Sequence, residues 1–233
     1  TGAAGLSFAM RSVYALKEYC ELVKKFAKPN CKVFNFTNPA GVVSQTLRDM
    51  GYDFTYGICD APSGMLNSFA KLYGVGENDI KGEIYGLNHL SYFNSITVNG
   101  KEILDDLIDN DLAYQKTDMR YFEKQLLKER HAILNEYLYY YYYREQAVQN
   151  ILKSEKTRGE QICEINKSMT DELSKIDIEN DFDTAFKIFE HWYGIRENNY
   201  MASETGVKRN GSWHFDIYQK DNGGYAGGAL KFI

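Results

Sequence analysis

The sequence has few cysteines, no excess of basic residues and no long apolar run, and each of these absences excludes a class of protein. The four cysteines in 233 residues include no Cys-x-x-Cys pair, which argues against a disulfide framework and favours a reducing compartment. The formal net charge of -5 argues against a nucleic-acid-binding protein, because such proteins need a basic surface. There is neither an apolar run of about 18 residues nor a charged-then-apolar leader, so we expect a cytoplasmic protein.

The composition is otherwise that of a globular protein with small-molecule or protein partners. Hydrophobic residues make up 44% of the chain and charged residues 25%, both ordinary values. The unusual feature is the set of 19 tyrosines, five of them consecutive from Tyr139 to Tyr143. Two interpretations stay open for this run: a polar cleft lined by aromatic rings, or a helix whose rings pack on several neighbours.

The first hundred residues alternate between helical and strand patterns, which favours an α/β fold with part of a doubly wound, Rossmann-like sheet. The predicted elements are helix 8–26, strand 31–36, helix 39–50, strand 54–58, helix 64–73 and strands 83–85 and 92–98. In doubly wound sheets, ligands bind beyond the carboxyl ends of the strands. The loops 37–39 and 59–62 follow two of the strands, so we expect a site there.

From residue 101 onward the pattern is mainly helical and predicts a second, α+β domain for catalysis and dimerisation. Helical repeats run through residue 127 and over 134–149 and 158–173. The polar stretch 210–224 predicts an exposed loop before a helix that starts at Tyr225. Because the chain ends inside this predicted helix, we expect domain 101–233 to be incomplete at its carboxyl end.

Cys59 and His89 are candidate metal ligands. Each follows a predicted strand, and a thiolate with an imidazole suits a borderline divalent ion that keeps open positions for catalysis. The alternative is a buried cysteine and a structural histidine, which are common. Asp60, next to the cysteine, has three open roles: a third ligand, a general acid, or the N-cap of the following helix.

Tyr137 and Arg158 are two further candidates. Tyr137 can act as a base only where a nearby cation lowers its pKa from about 10. Arg158, at a predicted helix start, offers a planar fork suited to a phosphate, although many such arginines are simply solvated.

Five motifs occur in the order found in family 4 glycoside hydrolases, and the chain resembles that family over most of its length. The motifs are Ala9-Met10-Arg11-Ser12, Phe36-Thr37-Asn38-Pro39-Ala40, Gly57-Ile58-Cys59-Asp60-Ala61-Pro62, Gly86-Leu87-Asn88-His89-Leu90 and Asn135-Glu136-Tyr137-Leu138-Tyr139-Tyr140. The resemblance continues through Arg158, the segment Arg196–Met201 and Gly223-Gly224-Tyr225. Such a series is specific to the family.

The resemblance implies a role for several positions. Cys59 and His89 match the family's metal ligands, usually for Mn²⁺. Tyr137 matches the catalytic base, and Asp60 matches the proton donor of the α-glycoside members. The positions that match substrate-binding residues are Asn38, Asn88 and Arg158.

The resemblance also implies a mechanism without paired carboxylates. NAD removes hydride from C3 of the sugar, which acidifies the C2 proton, and the metal holds the C2 and C3 oxygens. The base takes the C2 proton, the aglycone leaves from C1, water adds and the hydride returns. The implied substrate is a phosphorylated disaccharide or glucoside, and the implied assembly is a homodimer or homotetramer.

The sequence departs from the family at its start, where no glycine-rich dinucleotide loop is found. The cofactor-binding residues are therefore unknown, and we expect a fragment that is inactive alone. Asp60 is typical of 6-phospho-α-glucosidases, but segments 135–140, 196–201 and 223–225 resemble a subgroup described as 6-phospho-β-glucosidases, which also accepts aspartate there. We therefore favour the β-glucoside.

Three alternatives remain open. An α-galacturonidase or unphosphorylated α-glucosidase of the same family tends to replace the stretch 60–62. A dehydrogenase of 2-hydroxy acids needs a catalytic histidine and paired arginines, and it does not need Cys59 as a ligand. A non-catalytic protein could keep the fold without the cofactor half.

Overall fold

The computed structural model describes residues 2–209, 218–219 and 225–226, and they form two compact units. One unit extends to Gly64 and the other begins at Met65. The predicted mixed fold, with part of a doubly wound sheet followed by a mainly helical region, is confirmed. The predicted domain boundary at residue 100 stays a prediction.

The first unit is a βα arrangement built on two parallel strands. Its elements in chain order are α1 (Gly2–Phe26), β1 (Val33–Asn35), α2 (Ala40–Asp49), β2 (Thr55–Gly57) and the start of α3 (Ala61–Tyr73). β1 and β2 pair in parallel, with Asn35 opposite Gly57. The buried residues that pack the helices together are Ala9, Val13, Cys20, Val43, Leu47 and Tyr52.

The second unit contains an antiparallel sheet of four strands. They are β3 (Ile80–Leu87), β4 (Leu90–Val98), β5 (Lys101–Glu102) and β6 (Ile133–Leu134), with β4 paired to the other three. The turn at Asn99-Gly100 joins β4 to β5. Both turn residues have positive φ, 50° and 81°, as expected for an Asn-Gly hairpin.

Eight helices follow or flank the sheet strands along the described part of the second unit. They are α4 (Leu104–Asp109), α5 (Asp111–Lys116), α6 (Lys124–Arg130), α7 (Tyr139–Tyr142), α8 (Arg144–Lys153), α9 (Arg158–Leu173), α10 (Phe182–Asn198) and α11 (Ala202–Thr205). The predicted helix 134–149 is wrong at its start, because Leu134 belongs to β6. Both β6 residues are fully buried and pair with β4, so sheet pairing prevails over the helical pattern.

The tyrosine run divides between packing and exposure. Tyr139 is buried and packs edge-on against Phe122, with ring centroids 6.4 Å apart. Tyr142 shares a hydrogen bond with the Tyr92 hydroxyl at 3.2 Å, whereas Tyr141 is 71% exposed. The packing interpretation therefore holds for part of the run.

Two short strands lie in the region where the sequence predicts a loop and a final helix. β7 (Tyr218–Gln219) and β8 (Tyr225–Ala226) pair antiparallel, so the predicted helix start at Tyr225 is wrong. The pairing of Tyr225 with Gln219 prevails over the helical pattern that begins at Tyr225. The rest of the predicted loop and the predicted helix at the chain end lie outside the described residues. None of the helices within residues 2–209 is both long and apolar enough to cross a membrane.

Candidate active site

Three of the predicted site residues lie on the two loops that follow β1 and β2. Because the strands are parallel, Asn38 and the pair Cys59-Asp60 follow strand ends at the same edge of the sheet. The buried Asn35 side chain fixes the first loop: its Oδ1 accepts the Thr37 N–H at 3.0 Å and its Nδ2 donates to the Thr37 carbonyl at 3.2 Å. Asn38 itself is exposed and so accessible to a ligand.

The second loop leaves β2 and enters α3 directly. The Ile58 N–H donates to the Asn35 carbonyl at 3.0 Å, which ties the two loops together. Asp60 immediately precedes α3, and its carbonyl accepts the Gly64 N–H at 2.8 Å, so its backbone stands at the helix start. Cys59 is partly buried and forms no disulfide, whereas Asp60 is exposed. The capping position and a chemical role for the Asp60 side chain are compatible.

His89 occupies the tip of the β3–β4 hairpin. Leu87 pairs with Leu90, so Asn88 and His89 form a two-residue turn, with His89 at φ 66°. Gly86 makes this turn possible, because its φ is 109° and a Cβ there would lie 2.3 Å from the Leu90 carbonyl oxygen. Asn88 is exposed and His89 is partly buried, so both predicted residues lie at one end of the sheet.

The sheet also brings Tyr137 to His89. β6 pairs with β4, and the residue after it, Asn135, donates its backbone N–H to the Ser91 carbonyl at 3.0 Å. The buried Asn135 side chain then accepts the Tyr137 N–H at 3.0 Å and caps the 3-10 turn Glu136–Leu138. As a result the Tyr137 and His89 rings stack, with centroids 4.0 Å apart and planes at 25°.

Tyr200 is a contact of Tyr137 to which the sequence assigned no role. Its hydroxyl donates a hydrogen bond to the Tyr137 hydroxyl, and its ring meets the Tyr137 ring edge-on at 6.0 Å and 90°. Burial, followed by the nearby Glu136 carboxylate, raises the pKa of Tyr200 above its ordinary value. Tyr200 therefore stays protonated. The signal in the sequence was its place in the motif Arg196–Met201, but pattern alone could not pair it with a residue 63 positions earlier.

A charged cluster supports this tyrosine pair. The Arg209 guanidinium lies over the Tyr200 ring, 4.3 Å from its centroid, and also binds the Asp118 carboxylate. It lies 3.8 Å from Oε1 of the buried Glu136. Burial opposes the charge of Arg209, but Asp118 and Glu136 prevail and raise its pKa. The arginine is therefore a permanent cation next to the pair.

Arg158 begins α9, where Thr157 and Glu160 form a capping box. Its Nη2 donates to the Arg196 carbonyl at 2.8 Å, while its Nη1 is buried and has no acceptor among the described residues. Burial, and then the Arg196 charge, lower the pKa of Arg158, and Tyr200 is among the groups that oppose this shift. A buried guanidinium N–H without an acceptor is suited to an oxygen of an anionic ligand.

The second unit thus joins His89 and Tyr137 directly, and Tyr200 contacts Tyr137. The first unit holds Asn38, Cys59 and Asp60 on adjacent loops. Within residues 2–209, no three His, Cys, Asp or Glu side chains form a group that could hold a metal. A thiolate and an imidazole are nevertheless suitable ligands for a borderline divalent ion, which would keep open positions.

The sequence matches family profiles over most of its length. Residues 1–75 match the family 4 glycosyl hydrolases, and residues 84–216 match the C-terminal domain of the same family. The chain belongs to family 4 of the glycosyl hydrolases. This match confirms the family that the five ordered motifs indicated, and it includes every predicted site residue.

Curated relatives carry names for both anomers. The 6-phospho-beta-glucosidase BglT of Thermotoga maritima is 27% identical over 171 residues, which are 72% of this chain and 40% of the relative. The phospho-alpha-glucosidase PagL of Clostridium acetobutylicum is 28% identical over 186 residues, 72% of this chain and 41% of the relative. The chain thus spans about two fifths of the length of these relatives.

Solved structures give the same family. The T. maritima 6-phospho-beta-glucosidase with manganese, NAD⁺ and glucose-6-phosphate has a TM-score of 0.59 and 27% identity, over 72% of this chain and 40% of that one. Another crystal structure of that enzyme, with NAD and glucose-6-phosphate, has a TM-score of 0.60 and 25% identity, over 85% of this chain and 48% of that one.

Proposed function

We propose that this protein hydrolyses 6-phosphorylated β-glucosides by transient oxidation and elimination, with NAD and a divalent metal such as Mn²⁺. The observation that carries the proposal is the stack of the Tyr137 and His89 rings at 4.0 Å. In a family 4 chain, this contact joins the predicted base to a predicted metal ligand. The T. maritima relative, crystallised with manganese, NAD⁺ and glucose-6-phosphate, supports the choice of cofactors and sugar.

The roles of the side chains follow from their chemistry. The Tyr137 oxygen takes the C2 proton, and the Asp60 carboxyl gives a proton to the glycosidic oxygen as the aglycone leaves. The buried Nη1 of Arg158 donates to an oxygen of the sugar phosphate. The amides of Asn38 and Asn88, both exposed, hold sugar hydroxyls. The phosphate contact supplies binding energy remote from the reacting carbons.

Cys59 and His89 are the residues that would hold the metal. Their sulfur and nitrogen donors suit a borderline divalent ion, and two protein ligands leave positions for sugar oxygens. The choice of Mn²⁺ is supported by the manganese in the T. maritima relative. When bound, the metal would supply positive charge that favours a tyrosine phenolate and an enolate, and NAD would supply the reversible oxidation at C3. The residues of this chain do the positioning and the proton transfers.

A 6-phospho-α-glucosidase is the second candidate. The observation in its favour is the relative from C. acetobutylicum, named for the α-anomer and as similar as the T. maritima β-relative. Asp60 also matches the proton donor of α-glycoside members. We favour the β-anomer because the segments 135–140 and 196–201 resemble the β-subgroup.

The test is hydrolysis of p-nitrophenyl 6-phospho-β-glucoside and its α-anomer by the intact gene product, with NAD⁺ and Mn²⁺ each added and omitted. We expect activity on the β-anomer that needs both additions, and a loss of about 10²- to 10⁴-fold in the Tyr137→Phe variant. Activity on the α-anomer alone would replace the first candidate by the second. No activity on either anomer would contradict both and direct the assay to uronic-acid and unphosphorylated glycosides.

A further inference from the structure

Tyr137 is held by aromatic contacts on two sides. Its face lies against the His89 ring at 4.0 Å, and its edge meets the Tyr200 ring at 6.0 Å and 90°. The Tyr200 hydroxyl donates to the Tyr137 oxygen. A tyrosine side chain has two rotatable bonds before the ring, so a fixed hydroxyl and a stacked face together restrict it to one orientation.

Tyr200 is in turn held in place by Arg209. Arg209 lies 4.3 Å from the Tyr200 centroid, and its Nε donates to Oδ1 of Asp118 at 3.2 Å. The Arg209 backbone N–H donates to the Asn198 carbonyl at 2.9 Å, which holds the arginine beside the turn that carries Tyr200. The guanidinium is therefore itself restrained, and a cation over the ring face stabilises the position of Tyr200.

The direction of the tyrosine hydrogen bond has a consequence for Tyr137. A phenol carries one O–H donor, and Tyr200 uses its proton toward Tyr137. Tyr137 accepts from Tyr200, so its own proton must point away from Tyr200. The Tyr137 proton is thereby left for a partner other than Tyr200.

We infer that Tyr200 is a positioning residue that holds the Tyr137 hydroxyl and ring against His89, and that Arg209 supports Tyr200 in this task. The inference rests on the proposed role of Tyr137 as the base. Proton transfer depends steeply on geometry, since a misplacement of about 1 Å can cost about 10²-fold in rate. A neighbour that fixes the oxygen of the base therefore contributes to turnover without touching the substrate.

The chain offers a matched control. Tyr92 and Tyr142 share a second hydrogen bond between tyrosine hydroxyls, at 3.2 Å, in the same unit. Tyr142→Phe removes one hydroxyl of that pair, as Tyr200→Phe removes one from the pair with Tyr137. Comparing the two variants separates the loss of any tyrosine hydroxyl from the loss of this one.

The first readout needs neither cofactor nor turnover. In proton NMR spectra of the chain, the imidazole signals of His89 carry the ring-current shift of the stacked Tyr137 ring; His89→Gln assigns them, and Tyr137→Leu gives the position without that ring. We expect Tyr200→Phe to move the signals toward the Tyr137→Leu position, and Tyr142→Phe to leave them in place. Unmoved signals in Tyr200→Phe would overturn the inference.

The second readout is kinetic and uses the intact gene product. We expect Tyr200→Phe to lower kcat about 10²-fold with KM unchanged, and Tyr142→Phe to match the wild type. A normal kcat in Tyr200→Phe, with Tyr137→Phe inactive, would overturn the positioning role and leave the proposed function standing. Full activity in Tyr137→Phe would instead overturn the proposed base, and with it both claims. If the wild type shows no turnover, the proposed function fails and the NMR shift alone decides whether Tyr200 positions Tyr137.

Discussion

The two units hold their predicted site residues in different ways. In the first unit, Asn38, Cys59 and Asp60 lie on loops after two parallel strands of three residues each. In the second unit, the turn that carries His89 joins strands of eight and nine residues, and Tyr137 lies on the 3-10 turn that follows β6 of the same sheet. The longer strand ladder means that more hydrogen bonds must break together before His89 and Tyr137 can move.

The two units also differ in the size of the apolar core that they bury, and the second unit again has the larger share. The first unit has a small buried core, and α1 exposes seven large apolar side chains: Leu6, Phe8, Met10, Tyr14, Tyr19, Leu22 and Phe26. The second unit buries residues from α3, the sheet and most of its helices in one cluster. Since local stability follows buried apolar contacts, we expect the first unit to open more readily. Residues of one proposed site can therefore lie on parts of the chain with unequal rigidity.

Removing a predicted metal ligand should have the largest effect on Mn²⁺ affinity and hydrolysis. It should also show whether each unit contributes to metal binding. We expect Cys59→Ser and His89→Gln each to lower Mn²⁺ affinity at least about 100-fold, because even the loss of an outer-shell partner costs about 10- to 100-fold. Manganese binding is measured by electron paramagnetic resonance titration, and hydrolysis is followed in parallel.

Matched controls exist for both ligands. Cys31→Ser changes an exposed cysteine of the first unit, and His191→Gln changes an exposed histidine of α10. Both should bind Mn²⁺ as the wild type does. If Cys59→Ser also binds normally while His89→Gln does not, Cys59 is not a ligand, and the contribution of the first-unit loops to the metal must be abandoned.

Core truncations should have the next largest effect and test the difference in packing. Leu47 in the first unit and Phe69 in the second are both fully buried. We expect Leu47→Ala to cost about 2–5 kcal/mol and Phe69→Ala about 3–5 kcal/mol, from lost burial and a residual cavity. Hydrogen exchange measured by mass spectrometry should then speed up within residues 2–64 for Leu47→Ala and within residues 65–209 for Phe69→Ala.

The exposed Leu152 gives a control for this experiment. It lies on α8 with 74% of its surface accessible, so Leu152→Ala should leave exchange unchanged in both units. Faster exchange across all peptides in both core variants would mean that the chain unfolds as one unit, and the contrast in stability drawn above would be wrong.

The elements of the first hundred residues were predictable because their signals are local. Each apolar run kept one period, and α3 ends just before Gly74 and β4 just before Asn99-Gly100, where all three residues have positive φ. The start of β6 was not predictable, because a helical period continued through Leu134 while the partner strand lies some forty residues earlier. A two-residue strand gains its stability from burial against β4, which periodicity does not record.

In the candidate site, too, some residues are singled out by local sequence signals and others only by tertiary contacts. The ordered motifs predict roles for Cys59, His89 and Tyr137, which stay predictions, and the β3–β4 turn and the cap at Asn135 explain how the last two come together. Tyr200 and Arg209 acquire a role only through contacts across long stretches of sequence, Tyr200 with Tyr137 and Arg209 with Asp118. Such pairings depend on tertiary packing, which neither periodicity nor short motifs record.

The smallest expected effect is a pH dependence in the capping box of α9, in the better packed unit. Glu160 Oε2 accepts the Thr157 backbone N–H at 2.8 Å and the Thr157 hydroxyl at 2.9 Å, and these bonds, the backbone one first, lower the pKa of Glu160. A lowered folded pKa means that the stabilisation is fully present above the ordinary carboxyl value of about 4.3 and is lost as pH falls through the folded pKa.

Glu160→Gln should therefore be slightly less stable than the wild type to urea at pH 7 and approach it below about pH 4. Glu190→Gln, an exposed change on α10, is the control, and a gap between wild type and Glu160→Gln that stays constant down to the lowest pH would refute the charged cap.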